Sequence, residues 1–197
     1  MLLAAQHGQL QDVKSLVSSG DGVTFPKLKT ERALYAAAAK GHVEIMEYLI
    51  GREPAIAVGM RGVEALLEAC EGGHLAAVKA LLDRGADPTM SLVDDYTPLH
   101  LAACNGDAEL IMLLLDSGAK VNKRDSCRLT ALHHAADNLN VGAARVLLEK
   151  GAEVNAEALH HGTPLRLARC YTTGAADEMI QLLGEWLNRK RREVEND

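Results

Sequence analysis

The stretch Thr97-Pro98-Leu99-His100-Leu101-Ala102-Ala103, followed by Cys104-Asn105-Gly106, decides the fold. Threonine before proline marks a helix start. The hydroxyl can accept from an orphan backbone N–H, and proline lacks an N–H that the first helical turn has no use for. Leu99, Ala102 and Ala103 then share one helix face, and the alanines let a neighbouring helix approach closely. A second helix follows from Asp107 to Asp116, carrying Leu110, Ile111, Leu113, Leu114 and Leu115. Gly118 ends it, and Ala119, Val121 and Asn122 close the unit.

The unit recurs. Thr130-Ala131-Leu132-His133-His134-Ala135-Ala136 stands 33 residues on, with Val146-Leu147-Leu148, Gly151-Ala152 and Val154-Asn155 behind it. Another 33 residues bring Thr163-Pro164-Leu165-Arg166-Leu167-Ala168. A fixed period of this length signals stacked supersecondary units, none able to bury its apolar face alone. TPLHLAA followed by LLLDSGAKVN resembles the ankyrin repeat. The resemblance covers residues 1–187, strongest over 97–155.

The fold expected is therefore all-α: an elongated, monomeric ankyrin-repeat solenoid of six helix-turn-helix units with turn or β-hairpin fingers. The units fall at 1–20, 27–53, 59–88, 92–124, 125–157 and 158–187, with a charged cap or tail over 188–197. The first begins inside its helix, without a cap. Asp21 to Lys29 reads as a finger, with Leu28, Lys29 and Glu31 at or near its tip; Met60, Arg61 and Val63 form the tip of the next. Gly8, Gly41, Gly73 and Gly106 mark the turns between paired helices. Leu139 stands where a glycine is expected, so its turn should differ.

Composition agrees with helix stacking. Hydrophobic residues make up 48% of the chain but aromatics only 3%, so Leu, Ala and Val must build the core. A net charge of −6 disfavours general nucleic-acid binding. No apolar run reaches the roughly 18–20 residues that span a bilayer, and nothing at the N-terminus reads as a secretory signal. Cys70, Cys104, Cys127 and Cys170 form no CxxC pair. Cys104 and Cys170 occupy one repeat position two units apart, about 20 Å in a helical stack and outside disulfide reach. Four reduced thiols suit a cytoplasmic or nuclear protein.

Chemistry is sparse. His133-His134 and His160-His161 are adjacent pairs whose rings point about 100° apart on a helix, a poor way to share one metal. His100 and His133 hold one repeat position, where the resemblance implies a structural histidine bonded to the neighbouring turn. No hydrolase elbow, phosphate loop or carboxylate dyad is present, and Gly59-Met60-Arg61-Gly62 is too short for a nucleotide fingerprint. The reading is a non-enzyme without cofactor or metal. Arg189-Lys190-Arg191-Arg192 reads either as a localisation signal or as cations at a helix C-terminus.

What the repeat leaves free is its finger tips and first-helix ends. In ankyrin proteins these line the concave face and contact partners. Here they bring Met60, Arg61, Val63, Glu71, Val93, Asp94, Tyr96, Asn105, Leu129, Asp137, Asn138, Leu159 and Tyr171. The expected function is a protein-interaction module binding a protein or peptide on that face, with Tyr96 as its anchor. The alternative is an inhibitor or regulatory subunit that blocks an enzyme active site. The resemblance also implies Asn155 as an acceptor for an asparaginyl hydroxylase, because Leu147, Glu153 and Val154 precede it at the spacing such enzymes favour.

Overall fold

The computed structural model describes residues 1–18 and 27–195. The chain divides into two units, Met1–Leu92 and Val93–Asp197. In the first, helices α1 (Leu2–Gln6), α3 (Lys27–Ala38) and α5 (Gly59–Glu71) lie side by side as one layer. Helices α2 (Leu10–Ser18), α4 (Val43–Arg52) and α6 (Leu75–Asp83) form the layer behind it. In the second unit α7 (Pro98–Asn105), α9 (Ala131–Asp137) and α11 (Pro164–Ala168) stack in front. Helices α8 (Ala108–Asp116), α10 (Val141–Glu149) and α12 (Gly174–Glu195) stack behind them.

Small residues set the spacing. Ala33, Ala37 and Ala38 of α3, Ala65 and Ala69 of α5, Ala102 and Ala103 of α7, and Ala135 and Ala136 of α9 are fully buried. With so little side chain between them, front-layer helices approach closely. The rear helices supply the bulk: Ile45, Met46, Leu49 and Ile50 in α4, Leu110, Ile111 and Leu114 in α8, and Leu147 and Leu148 in α10. Their one- and four-residue spacings place these side chains on a single stripe facing the front layer.

The first unit departs from expectation at its fingers. Residues 21–26 of the expected Asp21–Lys29 finger lie outside the described residues, and Lys27 already opens α3. Met60, Arg61 and Val63 are not a finger tip. A 3-10 turn, Pro54–Ala57, buries Ile56 and Ala57, and α5 then starts at Gly59. Gly62 lies so close to the Ala57 carbonyl that any Cβ there would overlap it. That contact turns Val63 inward, where it is fully buried.

In the second unit, sequence and structure agree at the caps. Thr97 accepts from the His100 backbone N–H at 3.4 Å, and His100 Nδ1 accepts from the Thr97 N–H at 3.1 Å, a reciprocal capping box. The fingers are turns, not hairpins: among the described residues the one bridge is Ala158 with Gly162, and no extended strand forms. Helix α12 runs unbroken to Glu195 and so takes in residues 188–195 of the charged cap or tail.

The turn at Leu139 does not differ from the others. Leu139 takes φ 55°, the left-handed conformation that Gly106 takes at φ 78° in the preceding repeat. The reason lies one repeat along. Asn140 reaches back over Gly106, donating from Nδ2 to the carbonyls of Ala103 (3.1 Å) and Cys104 (2.7 Å). His42 and His74 do the same in the first unit, bonding Gln6 O (3.0 Å) and Ala39 O (3.2 Å). A Cβ at residue 106 would sit 2.7 Å from the Asn140 amide. Over Leu139 the equivalent residue is Thr173, whose hydroxyl instead caps the Ala176 N–H at 3.2 Å. Without a returning side chain to accommodate, the site tolerates leucine at the cost of backbone strain.

Candidate functional site

The exposed face of the second unit is assembled from three successive fingers. Val93–Asp95 forms a 3-10 turn with Asp94 at φ 60° and Asp95 at φ 57°, a conformation that aspartate tolerates. The Ser126 N–H donates to the Asp94 carbonyl at 2.8 Å, tying this finger to the next. The Leu159 N–H donates to the Cys127 carbonyl at 3.1 Å, tying that finger to the third. Within the middle finger, Asp125 Oδ1 accepts from the Cys127 and Leu129 N–H groups at 2.9 and 2.8 Å. The tips therefore run as one line, with Val93 78% and Leu159 55% exposed. Behind the line, at the ends of the front helices, stand Asp137, Asn138 and Tyr171. All three are exposed, and the Tyr171 hydroxyl donates to Asp137 Oδ1 at 3.0 Å. Asn138 Nδ2 donates to the His134 carbonyl at 2.9 Å.

Histidines lock the fingers to the helices. Nε2 of His100 lies 3.0 Å from the Lys123 carbonyl, and that of His133 lies 3.0 Å from the Gly162 carbonyl. With Nδ1 accepting from the threonine N–H, each ring is satisfied only as the neutral Nε2–H tautomer. Burial, then the neighbouring His134, pushes His100 down to about 4; burial likewise lowers His133.

Beneath the fingers lies a cluster that the sequence did not announce. The Tyr96 ring stacks on His100, centroids 5.4 Å apart, and meets the edge of His134 at 5.3 Å. Its hydroxyl lies 3.0 Å from Cys104 Sγ. His134 Nε2 lies 3.0 Å from Asp125 Oδ2, and His134 also hydrogen-bonds Cys104. Burial opposes a charge on His134, but its bonds to Cys104 and Asp125 outweigh that and raise it above the ordinary histidine range. Burial would raise the Cys104 thiol; hydrogen bonds from His134 and Tyr96 overcome it and bring the thiol below its usual range. Tyr96 is pushed up, by burial first and then by Cys104, and keeps its proton.

These contacts revise the expected surface. Val63 is fully buried in the core and is not part of the exposed surface. Arg61 is held by Glu31 at 2.6 Å, and Met60 beside it is 52% exposed on α5. Glu71, at the end of α5, is exposed. Tyr96 does not project as a free anchor but is half-buried in the ring cluster. Leu129 is partly covered, and Asn105 is exposed at the end of α7. Asn155 is exposed in the turn after α10; its equivalent Asn122 instead stitches repeats together, accepting from the Glu153 N–H at 2.9 Å. Among the described residues no three His, Cys, Asp or Glu side chains converge as a metal site, and no helix is long and apolar enough to cross a membrane.

Residues 1–92 and 89–158 match the family model for ankyrin repeats (3 copies). The chain belongs to the ankyrin-repeat family. It is 34% identical over 114 residues to the ankyrin repeat and KH domain-containing protein mask-1 of Caenorhabditis elegans, 56% of this chain and 4% of that protein. It is 35% identical over 82 residues to ankyrin repeat and SOCS box protein 16 of Mus musculus, 42% of this chain and 18% of the relative. It is 33% identical over 104 residues to the putative palmitoyltransferase ZDHHC13 of Danio rerio, 52% of this chain and 16% of the relative. The chain thus spans less than a fifth of each relative's length. Ankyrin repeats generally act as protein-interaction modules and are generally non-catalytic.

Proposed function

We propose that this ankyrin-repeat protein binds a protein or peptide segment across the finger line of its second unit. One observation carries the reading: Val93 and Leu159, large and apolar, stand exposed on tips that backbone bonds hold in line. Solvent alone gives no reason to present them, and apolar contacts within a polar rim are characteristic of recognition surfaces. Exposed Asp94 and Asp137 supply a rim of negative charge. The ligand that fits is a segment with apolar side chains flanked by Lys or Arg. Its association should be faster at low salt.

The test is selection from a displayed random-peptide library, followed by affinity measurement on the recovered peptides. Recovered sequences should pair apolar with basic residues. Val93→Ser with Leu159→Ser should weaken binding at least about tenfold, roughly 1.4 kcal/mol, and Asp94→Asn should reduce the salt dependence. Lys79→Ala, exposed on α6 of the first unit, is the control. Peptides that bind the finger variants undiminished and lose affinity with Lys79→Ala would place recognition elsewhere.

A further inference from the structure

We propose that Cys104 is an activated thiol that small hydroperoxides oxidise, with His134 as the group that takes its proton and Asp125 as the residue that positions His134. Three elements converge on the sulfur. Cys104 lies near the end of α7, His134 comes from α9, and Tyr96 comes from the finger that precedes α7. Asp125, on the next finger, fixes the imidazole at 3.0 Å from its Oδ2. Its other oxygen is occupied by two backbone N–H groups, so the carboxylate cannot swing away. A nucleophile beside a base that a third group orients is the arrangement that generates thiolates. Asp125 also shapes its finger, but the capping and finger-locking histidines are His100 and His133, and His134 has neither of those duties.

The charged groups around the sulfur favour this state on balance. His134 and the Tyr96 hydroxyl stabilise the thiolate, and Asp125 balances the imidazolium. Asp137 opposes it, and His100 stays neutral. Cys104 remains partly exposed, so a small oxidant can reach it. In the reaction the thiolate attacks one peroxide oxygen. The S–O bond forms, the O–O bond breaks, and the departing hydroxide or alkoxide takes the proton held on His134 and leaves as water or an alcohol. Sulfur is oxidised to the sulfenic acid and the peroxide is reduced.

The experiment uses the full chain and iodoacetamide, with the alkylated positions located by peptide mass mapping across pH. A lower thiol pKa gives more thiolate at neutral pH, and that gain outweighs the accompanying fall in nucleophilicity. Cys104 should therefore alkylate faster at pH 7 than a free cysteine peptide, with its inflection at lower pH. His134→Gln should move the inflection up, and Asp125→Asn should move it part of the way. A brief exposure to hydrogen peroxide with dimedone should label Cys104 ahead of the more exposed Cys127 and Cys170. A Cys104 inflection no lower than the free peptide's, or dimedone appearing first on Cys127 or Cys170, overturns the proposal. So does an unchanged inflection in a folded His134→Gln protein. If that variant does not fold, the unsubstituted chain decides by the first two readings.

Discussion

Replacing Gly106 with alanine should be far more damaging than replacing Gly118, though both glycines have positive φ. At Gly106 the backbone sits at φ 78°, where a Cβ costs about 1–2 kcal/mol. The new methyl would also meet the Asn140 amide at 2.7 Å and push it off the Ala103 and Cys104 carbonyls. Each of those bonds contributes about 1 kcal/mol net. Lower unfolded-chain entropy offsets only about 0.4–1 kcal/mol. The net loss is about 2–4 kcal/mol. Gly118, at φ 102°, has nothing within 4 Å of an added Cβ, so alanine there should cost only about 1 kcal/mol. Leu139→Gly should have the opposite sign, a gain of about 0.5 kcal/mol, because relief of the left-handed strain slightly exceeds the entropy that glycine adds. Trp186, the single tryptophan, lies in α12 of the same unit, so its fluorescence in a urea titration reports the unit that carries all three changes. With a slope near the middle of the usual range, about 2 kcal/mol/M, Gly106→Ala should lower the midpoint by about 1–2 M. Equal midpoints for Gly106→Ala and Gly118→Ala would refute the account of Asn140, and a lower midpoint for Leu139→Gly would refute the strain.

Leu114→Ala and Leu147→Ala, both fully buried in the rear layer, should each cost about 2–5 kcal/mol in the same titration, and an unmoved midpoint would show the helix phase to be wrong. Acid should destabilise the second unit. His100 falls from 6.5 unfolded to about 4 folded, so the unfolded chain binds the extra proton and stability drops as pH falls from about 6.5 towards 4, by up to about 3 kcal/mol. His133 adds to the loss in the same direction, whereas raised His134 contributes stability that is lost only as pH rises through its folded value. Urea midpoints at pH 7 and pH 5 should therefore differ, with His100→Gln reducing the difference; a flat profile would contradict the neutral-ring geometry. At the finger line, the double change Val93→Ser, Leu159→Ser should leave the stability within about 0.5 kcal/mol while weakening peptide binding, since exposed positions contribute little to the core.

The legible parts of the chain were those where one local rule governs. Thr97 before Pro98, and the 33-residue recurrence of Leu and Ala, each state a helix start and a buried face without reference to distant residues. Errors arose where a neighbour imposes a second requirement. Val63, a finger-tip position by repeat register, is buried because α5 already starts at Gly59, directly after the Pro54–Ala57 turn. The turn at Leu139, expected to differ for want of glycine, keeps the left-handed geometry of its neighbours. Much of the demand for glycine comes from the side chain that returns over it, and Thr173 makes no such return.

The Tyr96–Cys104–His134–Asp125 cluster shows how such a site follows from register and helix phase taken together. Front helices of adjacent repeats stack with equivalent positions 33 residues apart, so Cys104 has its counterpart at Asp137. His134 is three residues before Asp137, one helical turn back on the same face, and so it comes to lie beside Cys104. The second histidine of His133-His134 is therefore the unusual one: the first performs the repeat's structural duty, while its neighbour, pointing about 100° away, is free to serve the sulfur. A histidine pair poorly placed to share one metal divides its work between the fold and a reactive side chain. The division follows from helical geometry and the repeat period together, neither of which reveals it alone.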